Sequence, residues 1–150
     1  MEPIRRAAET LADRGVIVVT RGGEMVDAVS GGGPIRVTLR DDSRPDGAPC
    51  LAIINIGPVV AADLNAVGIL TLGDLRGVGA TAAYESVMVD KLHRGQGSRP
   101  FNAMYLYALF GAVQDVNCMH LSGAVREALK RRSDELRRDL LGREMPRAEA

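Results

Sequence analysis

Hydrophobic residues recur with two different spacings along this chain, and the spacing changes near residue 50. Apolar side chains at helical spacing in residues 3–13 predict an amphipathic helix, and Gly15 follows as a stop signal. Two β-branched runs, residues 16–20 and 35–39, predict short strands because glycine-rich stretches lie between them. The first fifty residues are therefore expected to form one helix and a small hairpin or meander.

After residue 50 the helical spacing dominates and predicts five helices. Residues 41–49, dense in charge, proline and glycine, predict a linker before them. Pro58 suits the first turn of a helix, where its missing N–H would have no partner. Thr71 suits an N-cap, and Asp74 three residues later completes a short-acid version of the capping box. Three further helices are predicted at about residues 80–92, 101–113 and 122–141.

Glycines and one proline mark the ends of these helices, which indicates compact helices joined by very short turns. Structural turns are expected at Gly57, Pro58, Gly68, Gly77 and Gly79. The segment 101–113 is apolar almost all round, so it is expected to be the central, buried helix. The predicted fold is mainly α, with a small α+β segment at residues 1–50, a helical domain at residues 51–141 and a frayed tail at residues 142–150.

Composition fits one ordinary core and limits what the surface can bind. The chain has 150 residues, of which 46% are hydrophobic, and its 19 basic and 19 acidic residues balance. A neutral molecule has no overall electrostatic attraction to nucleic acid or to an anionic membrane, so any such binding must be local. The most apolar stretch is shorter than the roughly 20 residues that a membrane span needs. We expect no membrane partner.

Cysteine and histidine positions give no indication of a metal, a cofactor or a catalytic set. Cys50 and Cys118 lie in no CxxC motif, and the N-terminus is too charged for a secretory signal, which together predict a reducing cytoplasm. Cys118 and His120 alone lack the four ligands of structural zinc. No Ser/His/Asp or Cys/His arrangement is evident. The sequence therefore predicts a protein that is not an enzyme and needs no cofactor.

The turn Asn55-Ile56-Gly57 is a candidate contact for nucleic acid or for a partner, because backbone N–H groups at a helix N-terminus can hold a phosphate. Pro58 removes one donor, however, and Asp63 brings the wrong charge. Residues 51–120 carry four basic and five acidic side chains, so phosphate affinity should be weak. A turn that packs two helices is the favoured interpretation, and DNA contact is the alternative.

The arginine-rich stretch KRRSDELRR, residues 130–138, is the second candidate, and Arg131 and Arg132 are its central basic residues. Serine and two acidic residues interrupt the basic ones, which is typical of a solvated helix face. A face that docks a partner is the alternative.

A family resemblance rests on several short motifs in a fixed order. Residues 56–87 read IGPVVAADLNAVGILTLGDLRGVGATAAYESV: a Gly-Pro turn, a helix ending Gly-Ile, a Thr-x-x-Asp-Leu cap and a Gly-Ala start to a helix with a tyrosine. Together these motifs resemble the C-terminal domain of the TfoX/Sxy competence regulators. The similarity continues through Pro-x-Asn at residues 100–102 and Tyr-Ala-Leu-x-Gly-Ala at residues 107–112, and covers roughly residues 53–141. The matching positions in the first stretch are Ile56, Gly57, Pro58, Leu64, Gly68, Ile69, Thr71, Asp74, Leu75, Gly79, Ala80 and Tyr84.

The resemblance implies an all-helical domain of about five helices with a helix-hairpin-helix-like element, in a bacterial cytoplasmic protein. Members with an additional N-terminal domain regulate natural transformation and act on transcription alongside the cyclic-AMP receptor protein. That N-terminal domain carries an Arg/Lys-Met-Phe-Gly-Gly type signature, which residues 1–50 do not resemble.

Three hypotheses follow. The first is a noncatalytic regulatory or adaptor protein that binds another protein, a transcription regulator by family resemblance, with any effect on DNA exerted through that partner. The second is direct DNA binding through the hairpin and the arginine-bearing last helix. The third is an accessory subunit of an enzyme.

Overall fold

The computed structural model of the chain describes residues 2–29, 31–39, 46–95 and 101–144. These residues form six α-helices and one three-stranded antiparallel sheet. The first helix and the sheet lie in the N-terminal segment, and the other five helices form the rest. The prediction of a mainly α fold preceded by a small α+β segment is confirmed, and the helix of that segment together with the five that follow gives six helices among the described residues.

The N-terminal segment consists of one helix packed beside a small sheet. Its elements are α1 (Glu2–Asp13), β1 (Ile17–Arg21), β2 (Glu24–Met25) and β3 (Arg36–Leu39). The strand order is β2-β1-β3, which leaves β3 at one edge, with all four of its residues exposed. The alternating side chains of β1 explain the burial: Ile17 and Val19 face α1 and are almost fully buried.

Five helices make up the second part of the chain, joined by short turns. They are α2 (Pro58–Ala66), α3 (Leu72–Val78), α4 (Ala80–His93), α5 (Ala103–Gln114) and α6 (Gly123–Glu144). The last helix extends three residues beyond its predicted end, and residues 145–150 of the expected frayed tail lie outside the described part of the chain.

Capping residues explain where these helices start. Pro58 is the first residue of α2. The Thr71 hydroxyl accepts a hydrogen bond from the amide of Asp74, and the Asp74 carboxylate accepts one from the amide of Thr71, so the predicted capping box is present in α3. Helix α5 starts later than the predicted residue 101, because the Asn102 side chain caps it by accepting from the amide of Met104.

Helix α5 is the centre of the main core, as its apolar sequence predicts. Leu106, Leu109 and Val113 are fully buried and pack with side chains from all the other helices of this part. The long amphipathic α6 covers one side of this core through a stripe of Val125, Leu129, Leu136 and Leu140, of which Leu136 is only half-buried.

The predicted turns differ in what they require of the backbone. Gly68 and Gly79 have φ angles of 85° and 95°, which L-residues rarely adopt. Gly57 is the N-cap of α2 with an ordinary φ of −91°. Gly77 lies inside the last turn of α3, which continues to Val78, so the chain turns at Gly79 instead.

The predicted linker is only partly described. Residues 41–45 lie outside the described part of the chain, whereas the residues that follow pair with the start of α3. The amides of Leu72 and Gly73 donate to the carbonyl oxygens of Ala48 and Asp46, at 2.9 and 2.8 Å. This end of the linker therefore packs with the helical part.

The N-terminal segment packs directly against the helices. The buried Gln114 side chain, at the end of α5, donates to the carbonyl oxygens of Ala12 and Ile17 at 2.6 and 3.1 Å. Gly15 turns between α1 and β1 with a φ of 72°, and any β-carbon there would overlap the carbonyl oxygen of Val113. Among the described helices, none has the length and apolar character needed to cross a membrane.

Candidate functional site

The first candidate contact, the turn before α2, faces mainly inward. Asn55 has a φ of 72°, in the left-handed region. Its side-chain amide donates to the carbonyl oxygen of Val116 at 2.8 Å, and its side-chain oxygen accepts from the amide of Cys118 at 3.0 Å. Ile56 is 7% exposed and belongs to the main core. Of the three candidate residues only Gly57 is exposed.

These contacts give Asn55 a clear role within the fold. Its side-chain donor also lies 3.4 Å from the carbonyl oxygen of Ala108, so one amide joins the turn to both α5 and the residues after it. Gly111 lets Asn55 come this close, because a β-carbon there would lie 2.6 Å from the Asn55 nitrogen. The side chain of Asn55 is therefore engaged in hydrogen bonds within the fold.

A second hairpin, between α3 and α4, holds a negatively charged side chain from the N-terminal segment. The carboxylate of Asp13 accepts hydrogen bonds from the backbone amide of Thr81 at 3.0 and 3.1 Å and from its hydroxyl at 2.7 Å. A β-carbon on Gly79 would lie 2.8 Å from the same carboxylate. Thr81 is in the first turn of α4, where free N–H groups and the helix dipole favour an anion. The protein's own Asp13 fills this position.

Arg132, the second candidate contact on α6, points toward the same region. Its guanidinium forms ion pairs with Glu9, with Asp27 at 2.6 Å and with Asp13 at 3.7 Å, and its side chain is 17% exposed. Three carboxylates of the N-terminal segment thus surround one arginine. Arg131 is exposed on the neighbouring helix position, about 100° further round the helix. The structure therefore separates the two adjacent candidates.

Burial dominates the electrostatics of Asp13. Loss of solvent raises the pKa of this carboxyl above its usual 3.8, although the hydrogen bonds from Thr81 and the charge of Arg132 act in the opposite direction. The raised pKa means that the neutral form of the Asp13 carboxyl is favoured more at this position than in water.

A buried polar network in the helical part was not predicted from the sequence. The Tyr105 hydroxyl donates to the Asp63 carboxylate at 2.8 Å, and the Lys91 ammonium lies 3.0 Å from the same carboxylate. The hydroxyl of Tyr84 lies 2.8 Å from the buried hydroxyl of Ser133. Burial, followed by the Asp63 contact, raises the pKa of Tyr105 far above its usual value, so this phenol acts as a hydrogen-bond donor and not as a base.

Cys50 belongs to the main core of the helical part. Cys50 is buried, and desolvation followed by the charge of Asp74 raises the pKa of its thiol. Its sulfur lies 3.4 Å from the carbonyl oxygen of Ile69, to which it donates. Within the described ranges no three His, Cys, Asp or Glu side chains come together as a possible metal site.

Sequence reasoning missed Asp13, Thr81, Glu9 and Asp27 because nothing local marks them. Asp13 and Thr81 are 68 residues apart, and each has an ordinary local explanation, at a helix end and in a first helical turn. A clue was available in Glu9 and Asp13, which lie one helical turn apart on the same side of α1.

Comparison with known proteins identifies the second part of the chain. The family model described as the TfoX C-terminal domain matches residues 50–133. A second family model, described as a protein of unknown function (DUF3253), matches residues 1–40. No curated protein and no solved structure matches the chain. Because the first match covers more than half of the residues and agrees with the motifs and the helices described above, the chain belongs to the TfoX C-terminal domain family.

Proposed function

We propose that this chain is a noncatalytic regulatory or adaptor protein that acts by binding another protein. The partner is a transcription regulator, and the process is the control of competence for DNA transformation, in line with the family. Any effect on DNA is exerted through that partner. Membership of the family supports the regulatory class, and the geometry of the charged residues supports a protein partner over direct contact with DNA.

The single observation that carries this proposal is the Asp13–Arg132 contact region. Direct DNA binding by a neutral module would need phosphate to meet free N–H groups and free positive charge. Here the first turn of α4 already holds Asp13, and Arg132 already holds Glu9, Asp13 and Asp27. The side chain of Asn55 is also used internally. The first turn of α4, the Arg132 guanidinium and the Asn55 side chain are thus all engaged in contacts within the protein.

A partner-capture experiment tests the proposal. The full chain, tagged and produced at its natural level in the source cells, is cross-linked and purified, and the bound proteins are quantified. We expect one protein at a stoichiometric ratio, and we expect it to be a transcription regulator. A folded protein that recovers no stoichiometric partner contradicts the adaptor function.

The DNA-binding alternative is tested with the same protein and a fluorescent duplex. The adaptor proposal expects no complex at micromolar protein and low salt. Direct binding would instead show affinity that falls steeply with salt, and Arg131→Glu would weaken it more than the matched charge change Arg143→Glu, which lies on α6 outside residues 130–138. Both arginines are exposed, so neither variant should disturb the core.

A further inference from the structure

Strand β3 forms an edge of the small sheet that no other strand covers within the part of the chain that the structure describes. The strand order β2-β1-β3 places it at the end of the sheet, and its four residues, Arg36–Leu39, are all exposed. Proteins usually protect such an edge with a proline, a bulge or an inward-pointing charge, because its free backbone groups can pair with another strand. The pairing of β3 with β1 is continuous and β3 contains no proline, so this edge is open.

Two apolar side chains of β3 extend the buried face of the sheet. Val37 lies opposite Val19 of β1, and Leu39 lies opposite Ile17. Directly opposite residues of an antiparallel pair have their side chains on the same face. The two β1 residues are 1% and 4% exposed beneath α1, whereas Val37 and Leu39 are 49% and 77% exposed. Helix α1 therefore covers β1 and leaves the same apolar face open along β3.

Helix α1 adds apolar surface on the same side of the segment. Ile4 and Leu11 are exposed and lie on one side of the helix, because they are seven residues apart. Glu9, which pairs with Arg132 of α6, lies on the opposite side, since each residue turns the helix by about 100°. Asp27, just after β2, pairs with the same arginine. The β2 side of the segment therefore faces α6, and the apolar side of α1 and strand β3 lie away from it.

The peptide groups of Val37 point out of the sheet, toward the open edge. The carbonyl oxygen of Val19 accepts from the amide of Val26 at 2.9 Å, so the peptide groups of Val19 point toward the β2 side. In an antiparallel pair the N–H and C=O of one residue point the same way, and this direction alternates along the strand. Val37, opposite Val19, therefore directs both groups away from β1, and so does Leu39 two residues later.

We propose that a second copy of this chain pairs with this edge, with the two β3 strands antiparallel about a two-fold axis at Val37. In this register each Val37 exchanges both of its outward backbone hydrogen bonds with Val37 of the second copy. Ile35 then lies opposite Leu39 of the second copy, so the apolar face continues across the junction. On the other face Arg36 lies opposite Thr38, and the two arginines are kept apart.

The occupant is a second copy because residues 35–39 are complementary to themselves in this register. A two-fold contact requires such self-complementarity, since the same surface patch serves both chains. The chain also has no net charge, so no long-range repulsion opposes the association of two copies. This dimer lies on the side away from α6 and does not depend on the partner proposed above.

Two measurements on the full chain test the pairing. Sedimentation equilibrium from micromolar to submillimolar protein should show a monomer–dimer equilibrium, and the dimer should be weak because the shared edge is short. Amide hydrogen exchange, followed by NMR at the same concentrations, should slow at Val37 and Leu39 as the dimer forms. The amide of Thr38, which points toward β1, should change much less. A chain that stays monomeric, or a dimer in which exchange at Val37 is not slowed, overturns the proposal.

Charged variants at the two-fold axis distinguish this surface from any other. Val37→Lys places like charges directly opposite each other and should raise the dimer dissociation constant about tenfold or more, as should Val37→Glu. An equimolar mixture of these two variants should associate better than either alone, because opposite charges then meet across the axis. Val59→Lys, the same change at an exposed valine of α2, is the matched control and should leave association unchanged.

NMR spectra show whether each variant is folded. If Val37→Lys does not fold, Leu39→Lys at the more exposed position replaces it and should also weaken the dimer. A folded variant that dimerises as strongly as the wild type shows that the copies meet through another surface, which overturns the proposal. A mixture of the lysine and glutamate variants that associates no better than each alone overturns the two-fold axis at Val37.

Discussion

The carboxylate of Asp13 accepts hydrogen bonds from both the amide and the hydroxyl of Thr81, which lies 68 residues later in the chain. This contact joins the end of α1 to the start of α4. Arg132 of α6 lies beside the same carboxylate, so the N-terminal segment contacts both α4 and α6 at this point. The segment is thus placed where it covers a helix N-terminus that would otherwise be free.

Replacing Asp13 tests how this contact stabilises the fold. Asp13→Ala should lower the free energy of unfolding by about 1–3 kcal/mol, because the amide of Thr81 loses its acceptor in a buried place. Asp13→Asn should lower the free energy of unfolding less, since its side-chain oxygen can still accept from Thr81 and a neutral group suits this buried position. Urea unfolding measures both, with Asp139→Ala on the exposed face of α6 as the control. Equal losses in the two Asp13 variants contradict this account.

The pH dependence of stability gives a second test of the same residue. Burial raises the pKa of Asp13 in the folded protein above the 3.8 expected when it is unfolded, so the folded state binds this proton more tightly. The contribution of Asp13 to the free energy of unfolding is therefore greatest below pH 3.8. It should fall as the pH rises from there through the raised pKa, and stay constant above it.

The difference between wild type and Asp13→Asn isolates this effect, because other groups titrate alike in both. Unfolding in urea at a series of pH values from 3 to 7 should show the wild type losing stability relative to Asp13→Asn as the pH increases. A difference that grows in favour of the wild type would mean that the charge of Arg132 outweighs burial.

Asn55 should be sensitive for two reasons that can be separated. Asn55→Gly keeps a residue that accepts the left-handed backbone but loses the side-chain bonds to Val116 and Cys118. Asn55→Ala loses those bonds and adds strain of about 1 kcal/mol or more. Thermal and urea unfolding should therefore rank the stabilities as wild type, then glycine, then alanine. If Asn55→Ala were more stable than Asn55→Gly, the left-handed backbone conformation would not matter at this position.

Leu109 tests the central position of α5. It is fully buried in the main core, so Leu109→Ala should reduce the free energy of unfolding by about 2–5 kcal/mol. The exposed Met104 on the first turn of the same helix provides the control, and Met104→Ala should change stability by less than about 1 kcal/mol. A similar small loss at Leu109 would show that α5 is not the centre of the core.

Local patterns were enough to predict most of the helical part, and contacts between distant residues explain what they missed. The capping box of Thr71 and Asp74 and the apolar character of α5 are local, so the sequence shows them directly. The contacts of Arg132 are not local. The sequence around it is typical of a solvated helix face, yet its side chain pairs with Asp27 and Glu9, which lie 105 and 123 residues earlier. Interleaved charges predict exposure only when no partner with opposite charge packs against the helix.

The same distinction applies to Asn55 and to the glycines. The sequence marks a tight turn at residues 55–57, but it does not say which way the Asn55 side chain points, since that depends on the space left by Gly111. It also marks Gly77 and Gly79 equally. Only the structure shows that α3 continues through Gly77 and that the turn needs a positive φ at Gly79.

Gly68 and Gly15 provide the last prediction, because both have a positive φ but different surroundings. A β-carbon on Gly68 would meet nothing within 4 Å, so the cost there comes from the backbone alone. Gly68→Asn should reduce the free energy of unfolding only slightly, because asparagine tolerates this conformation. Gly68→Val should reduce it clearly more, by about 1–2 kcal/mol or above. Gly15→Ala should be worse than either, since its β-carbon would overlap the carbonyl oxygen of Val113 and force α1 away from α5. Melting temperatures of the three variants check this order, and an unchanged melting temperature for Gly68→Val would contradict the role of Gly68 at the end of α2.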